Sequence, residues 1–316
     1  MTAPRVGNAA SALNQRLAQE LASRRQATTI LHPTEVGGRL SPARMLTTTL
    51  GGQVRPITPA DLKAFRASIA ALGARAHVGL TAQEALGLST AVDVERAKRE
   101  IRYALPARLQ AGRVQFVTNS GPASKVARHF VNLEFVEFAA AVARPGTPAQ
   151  AALALTKQGR LRFECSCEHF RFFLRFVATA GGWVEGRPEH GMPKLTNPTL
   201  DGACCKHLVR VMTSVQFSAG LRQRVAQMIE SARAHIDRPG KAQPKAVIVR
   251  QAAAERMEPK NARRIVVPKA ATGATLPSRP SDANIRTALA AFAGKSDVTS
   301  DAITRALSAL LQSSTS

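Results

Sequence analysis

The chain has 316 residues and a formal net charge of +23, from 44 Lys and Arg against 21 Asp and Glu. Its length and 45% hydrophobic content allow one large or two small domains with a buried core. No apolar run approaches the roughly 18 residues of a membrane span, and the amino-terminal MTAPRVGNAASALNQRLAQ lacks the apolar core of a secretion signal. So basic a surface is drawn to polyanions, which makes nucleic acid an expected class of partner. The alternative is a structural protein whose basic side neutralises its neighbours.

Residues 8–25 read as an amphipathic helix on Leu13, Leu17 and Leu21, within an amino-terminal arm over 1–57. Thr58-Pro59-Ala60-Asp61 is a helix start, with a capping hydroxyl, proline at the first position and an acid in the first turn. A second helix follows Thr81. A third begins near Ser89 and is expected to run to Pro106, giving a helical subdomain over 58–110. Residues 113–118 and 129–138 alternate as strands do. AALALT (151–156) and RLRFECSC (160–167) are expected to form a hairpin. FRFFLRFVATAGG (170–182) fits either periodicity, and its Gly181-Gly182 stop favours a helix. Residues 183–202, rich in Pro and Gly, read as a loop. From Ala203 a helix begins, and another runs from after Ser218 to about Ile236, closing a β-sheet and metal-binding domain over 111–236.

Residues 237–280 lose periodicity and become a basic, Pro-rich linker or arm, in which VIV (247–249) and IVV (265–267) could each add a strand to a neighbour. Residues 281–316 carry two capped helices. The expected fold class is α+β: a small antiparallel sheet with a zinc-clamped hairpin and helix, flanked by helical segments and a basic extended carboxy-terminal arm.

All four cysteines lie between Phe163 and Leu208. Two thiolates spaced by one residue, then a thiolate and an imidazole spaced by one, make a tetrahedral donor set suited to zinc. The ligands so assigned are Cys165, Cys167, Cys205 and His207. Cys204 is the rival third thiolate, because i and i+3 share a helix face whereas i and i+2 do not; Cys205 serves if it sits at the irregular helix start. His169 and His190 read as surface or hydrogen-bonding histidines. Clustered cysteines with none elsewhere argue for a reducing compartment rather than a disulfide scaffold.

Cys165-Ser166-Cys167 and Cys205-Lys206-His207 resemble the SWIM-type zinc finger, Cys-x-Cys followed by Cys-x-His. The resemblance implies a first pair coming off a β-hairpin and a second starting a helix. It also implies roles in DNA binding or protein interaction. The 37 residues between the halves exceed the usual spacing. With FECSCEHFRFFLRF before and LTNPTLDGACCKHL after, this long-insert variant resembles structural proteins of tailed bacteriophages. That resemblance implies a virion component, assembled in bacterial host cytoplasm into a homo-oligomer with other virion proteins. The alternative is a cytoplasmic SWIM-type nucleic-acid-binding protein of transposition, recombination or repair.

No phosphate-cradling glycine loop, His-Glu-x-x-His or nucleophile elbow occurs. Asp93, Glu95 and Glu100 read as salt-bridge residues on a solvated face, so neither an enzyme nor a small-molecule substrate is expected. Phe163, Phe170, Phe172, Phe173 and Phe176 could stack on bases, but a finger with one Trp and one Tyr in the whole chain needs them inside. Arg162, Arg171 and Arg175, with Arg263 and Arg264 in the arm, are then the cations expected to face nucleic acid or another subunit.

Overall fold

The computed structural model describes residues 26–39, 47–74, 78–122, 124–236 and 246–248, with isolated positions between 15 and 23. Leu13, Leu17 and Leu21, nearly all of the basic arm including Arg263 and Arg264, and the two terminal helices lie outside the described residues. Two compact units divide the chain. The first takes Met1–Arg66 and His190–Pro198 with Pro277–Ser316; the second takes Ala67–Glu189 and Thr199–Leu276.

In the first unit, α1 (Pro33–Val36) is a single turn, and β1 (Thr47–Thr48) pairs with β2 (Arg55–Pro56). Leu31 bridges Met192, and the Thr48 hydroxyl donates to the Lys194 carbonyl at 2.9 Å. These bonds hold the 190–198 segment in place. Helix α2 (Pro59–Ala74), of which the residues up to Arg66 belong to this unit, starts as its sequence dictates: the Thr58 hydroxyl accepts from the Asp61 N–H, and the Asp61 carboxylate accepts from the Thr58 N–H. Arg55 pairs with Asp61 through two 2.6 Å bonds and holds its carboxyl well below the usual range.

The second unit is built on a six-stranded antiparallel sheet. Its strands are β3 (Leu80–Thr81), β4 (Ala104–Gln110), β5 (Arg113–Asn119), β6 (Arg128–Phe135), β7 (Arg160–Cys165) and β8 (Val247–Ile248), in the order β3-β7-β6-β5-β4-β8. Six helices accompany it: α3 (Ala82–Gly87), α4 (Ala91–Glu100), α5 (Phe138–Ala143), α6 (Pro148–Gln158), α8 (Lys206–Phe217) and α9 (Ala219–Ile236). The short α7 (Arg175–Ala180) follows a π-helical turn at Phe170–Leu174. Helix α8 is central. It packs on β4, β6 and β7 and against α3, α4 and α6. Its Leu208, Val209, Val211, Met212 and Val215 are fully buried, each burial contributing roughly 1.5–3 kcal/mol before entropy is counted.

Three local expectations are corrected. Residues 151–156 are not a strand: they lie in α6, which Thr147 opens with a capping box to Gln150 and Pro148 at the first position. Six residues of Ala, Leu and Thr alternate in either period, so cap and propensity decided. The partner of β7 is therefore β6, not a preceding hairpin strand.

The third helix stops at Glu100 rather than Pro106. The Asn119 side chain accepts the N–H groups of Arg102 and Tyr103, and the Arg210 guanidinium donates to the Ile101 carbonyl. These bonds turn the chain into β4. The β4–β5 turn is Ala111-Gly112, both at positive φ (49° and 80°), the hairpin geometry that glycine favours. A Cβ on Gly112 would lie 2.7 Å from Phe138, so this glycine is required twice over. Third, VIV at 247–249 finds its partner in the same chain, with Val247–Ile248 pairing against β4. The 170–182 stretch is helical, as the Gly181-Gly182 stop indicates, although its first turn is π-helical. The Trp183 ring fills the space a Cβ on Gly181 would need.

Candidate metal centre

One ligand pair lies where β7 ends. Along β7, Leu161, Phe163 and Cys165 point to the helix-covered side and are fully buried. The strand stops at Cys165, so the pleat does not bring in Cys167; a turn does. In that turn the Cys167 N–H points to Cys165 Sγ at 3.5 Å and the Phe170 N–H to Cys167 Sγ at 3.4 Å. Ser166, between the two, ties the turn to β6. Its hydroxyl accepts the Phe130 N–H at 3.0 Å, and its own N–H donates to the Phe130 carbonyl at 2.9 Å.

The other pair lies at the start of α8. Cys205 is the N-cap residue, with extended backbone (φ −74°, ψ 168°), and His207 follows in the first turn. That non-helical residue is what lets a Cys-x-His pair converge where two helical positions would not. The thiolate also meets the positive end of the helix dipole.

The donor atoms of Cys165, Cys167, Cys205 and His207 all lie within 4.8 Å of one another, and all four residues are buried. His207 Nδ1 is 3.8 Å from Cys165 Sγ and 3.9 Å from Cys205 Sγ. Usual bond lengths in a tetrahedral zinc site place sulfur and nitrogen about 3.6 Å apart. The cluster is therefore compatible with a zinc finger and could hold a metal ion. Burial pushes the Cys165 and Cys205 thiols well up. At Cys167 burial acts in the same sense, but hydrogen bonds from Cys165, Cys205 and His207 outweigh it and hold the thiol well below its ordinary value. Three thiolates this close in a dry site repel one another unless a cation lies among them.

Cys204 is directed elsewhere. Its thiol donates to the Ala85 carbonyl at 3.5 Å, and burial pushes its pKa up to about 12. His169 is no surface residue: its Nδ1 lies 3.1 Å from Asp93 Oδ1, and its ring stands edge-on to Phe173. Asp93 is 1% exposed, so the solvated-face reading fails for it; its other oxygen accepts the Thr90 hydroxyl at the start of α4. Glu95 pairs with Lys98 in solvent, as expected. Glu100 binds Lys206, the residue between the second pair of ligands, and Arg96. His190 is exposed.

Phe163, Phe170, Phe173 and Phe176 are buried, whereas Phe172 is exposed with the Arg171 guanidinium over its ring. Arg162 lies 3.8 Å from Glu134. Arg175 is mostly buried, bonded to Glu164 and set over Phe170, so it is not a cation free to meet a partner.

Sequence reasoning missed His129. Its ring lies 4.5 Å from that of His207, and its Nδ1 is 3.3 Å from the Ser166 hydroxyl. Burial, with His207 alongside, holds its pKa low. Nothing in the spacing of a β-strand histidine links it to cysteines more than thirty residues on; only the β6–β7 register does.

Fold and site together define an α+β chain with a small antiparallel sheet and a buried Cys₃His cluster capable of holding a metal. Comparison with protein-family models, with curated proteins and with solved structures gives no match.

Proposed function

We propose that the cluster is a structural zinc clamp, and that the chain is a non-enzymatic structural component of a tailed-phage particle. Its place is the head–tail connector, the tail or the DNA-proximal interior, and its function is assembly. The observation that carries the clamp is the convergence of four buried ligands, three thiols and one imidazole, within 4.8 Å. A full tetrahedral set leaves no position for an activated water. Zinc would lock the end of β7 to the start of α8, two elements 40 residues apart in sequence that carry much of the core. The long insert between the ligand pairs, with its resemblance to phage structural proteins, supports the particle reading.

The charge of +23 favours a second reading, a SWIM-type nucleic-acid-binding protein of transposition, recombination or repair. Oligomeric state separates the two. The particle reading expects a defined ring or particle-bound oligomer with little affinity for duplex DNA at physiological salt. The second expects a monomer or dimer whose duplex affinity falls steeply with salt. Elemental analysis tests the clamp: one zinc per chain is expected, with Cys167→Ser losing both the ion and thermal stability. Metal-free protein with Cys167→Ser melting like the parent would overturn it.

A further inference from the structure

The side of the sheet away from α8 carries a surface that the clamp does not explain. On β4, β5 and β6 the outward positions include Arg108, then Arg113, Gln115 and Val117, then Arg128, Phe130, Asn132 and Glu134, and Arg113 lies 3.8 Å from both Glu134 and Glu185. By register Arg108 is opposite Gln115, Gln115 opposite Asn132, and Phe130 opposite Val117. The three arginines and Gln115 are exposed. Phe130 is 49% exposed, although every other large apolar side chain of β6 is turned inward. Gln115 donates to Asn132 at 3.2 Å and Asn132 to Glu164 at 2.8 Å, a row of amides lying flat across the strands. Phe130 is held rigidly, since both of its backbone groups bond to Ser166 in the metal turn.

We infer that this face binds single-stranded nucleic acid, with Phe130 as the stacking platform, Arg108 and Arg128 on phosphates, and Gln115 and Asn132 within reach of base edges. Charge selects a polyanion: the chain is at +23, and Arg108 and Arg128 are exposed guanidinium groups on this face, while Arg113 lies beside Glu134 and Glu185. Shape selects a single strand. Six strands at about 4.8 Å spacing span roughly 24 Å, too broad for a major groove about 12 Å wide. An exposed aromatic ring, here with Arg128 beside it on the same strand, takes any unstacked base. The inference stands on this face and holds under either reading of the metal cluster.

The test uses the full metal-bound chain and fluorescence anisotropy with labelled oligothymidylate and a duplex of equal length. Wild type is expected to prefer the single strand. Phe130→Ala should weaken that binding about 5- to 150-fold and leave the duplex unaffected. Phe130→Trp should retain it. Phe217→Ala, which alters an equally exposed phenylalanine on α8, should change nothing. Replacing Arg108 and Arg128 by Gln should reduce the salt slope by about 1.4. Zinc content and melting temperature, read in parallel, separate a lost surface from a lost clamp. Phe130→Ala binding like wild type, or equal affinity of wild type for the two probes, overturns the inference and leaves only diffuse attraction to a basic chain.

Discussion

The two faces of the six-stranded sheet are made from the same strands and obey opposite rules. On β6, Val131, Leu133 and Phe135 turn toward the helices and are at most 2% exposed, while Arg128, Phe130, Asn132 and Glu134 turn away. On β7, Cys165 goes inward and its neighbour Ser166 is exposed. A single step along the backbone thus separates a thiol of the buried Cys₃His cluster from solvent. The covered face is where the chain places its stability, and the other is where it places charge. The two meet at the metal turn, where Ser166 bonds to Phe130.

The largest effect that would break this division is expected from removing the ion of the proposed clamp. Chelation, or Cys165→Ser, removes the tie between β7 and α8 and leaves the remaining thiols and His207 buried without their counter-charge. Structural zinc contributes on the order of 10 kcal/mol in small fingers, and breaking a buried charged set costs about 3–5 kcal/mol. Cooperative unfolding of the second unit on chelation is expected by circular dichroism. A chelated protein that melts at the same temperature would show the helix-covered core to be self-sufficient.

Next in size is a contrast between two phenylalanines. Phe163 on β7 is fully buried, so Phe163→Ala should cost about 3–5 kcal/mol in urea unfolding. Phe130→Ala should change stability by no more than about 0.5 kcal/mol, although it removes the same atoms. Equal losses would mean that Phe130 packs against something, and the face would not be open. A third effect, about 1 kcal/mol, is expected for Thr147→Ala, which removes the cap of α6 from the covered side.

That cap shows what was legible in the sequence and what was not. The convergence of Cys165, Cys167, Cys205 and His207 was readable because metal chemistry restricts residue type and spacing together. Choosing between Cys204 and Cys205 required knowing where the helix begins: with Cys205 at the N-cap, Cys204 turns to Ala85. Strands β5 and β6 were readable from alternation. Strand β4 was not, because its first residues continue a helical pattern and only the Asn119 side chain and the Ala111-Gly112 turn redirect them. Residues 151–156 were misassigned because the deciding signal, Thr147 and Pro148, lies outside them. His129 and Asp93 drew their roles from partners distant in sequence, which periodicity does not register.

The smallest expected effect is on the outward face, where carboxylates crowd. Glu185 lies 3.8 Å from Arg113, and Gly186 beside it sits against Glu164. Burial, then the nearby Glu164, raises the Glu185 pKa, and Arg113 only partly offsets this. A carboxyl whose folded pKa exceeds its unfolded value near 4.3 binds more protons folded than unfolded. Its stabilising share is present below the unfolded value and is lost as pH rises through the folded one. Glu185→Gln should therefore match wild type in acid and become the more stable of the two as pH rises toward neutrality. The measurement is the difference between the two melting temperatures across that range. A difference independent of pH would mean that Arg113 fully neutralises Glu185, and that the outward face, like the covered one, has its charges balanced.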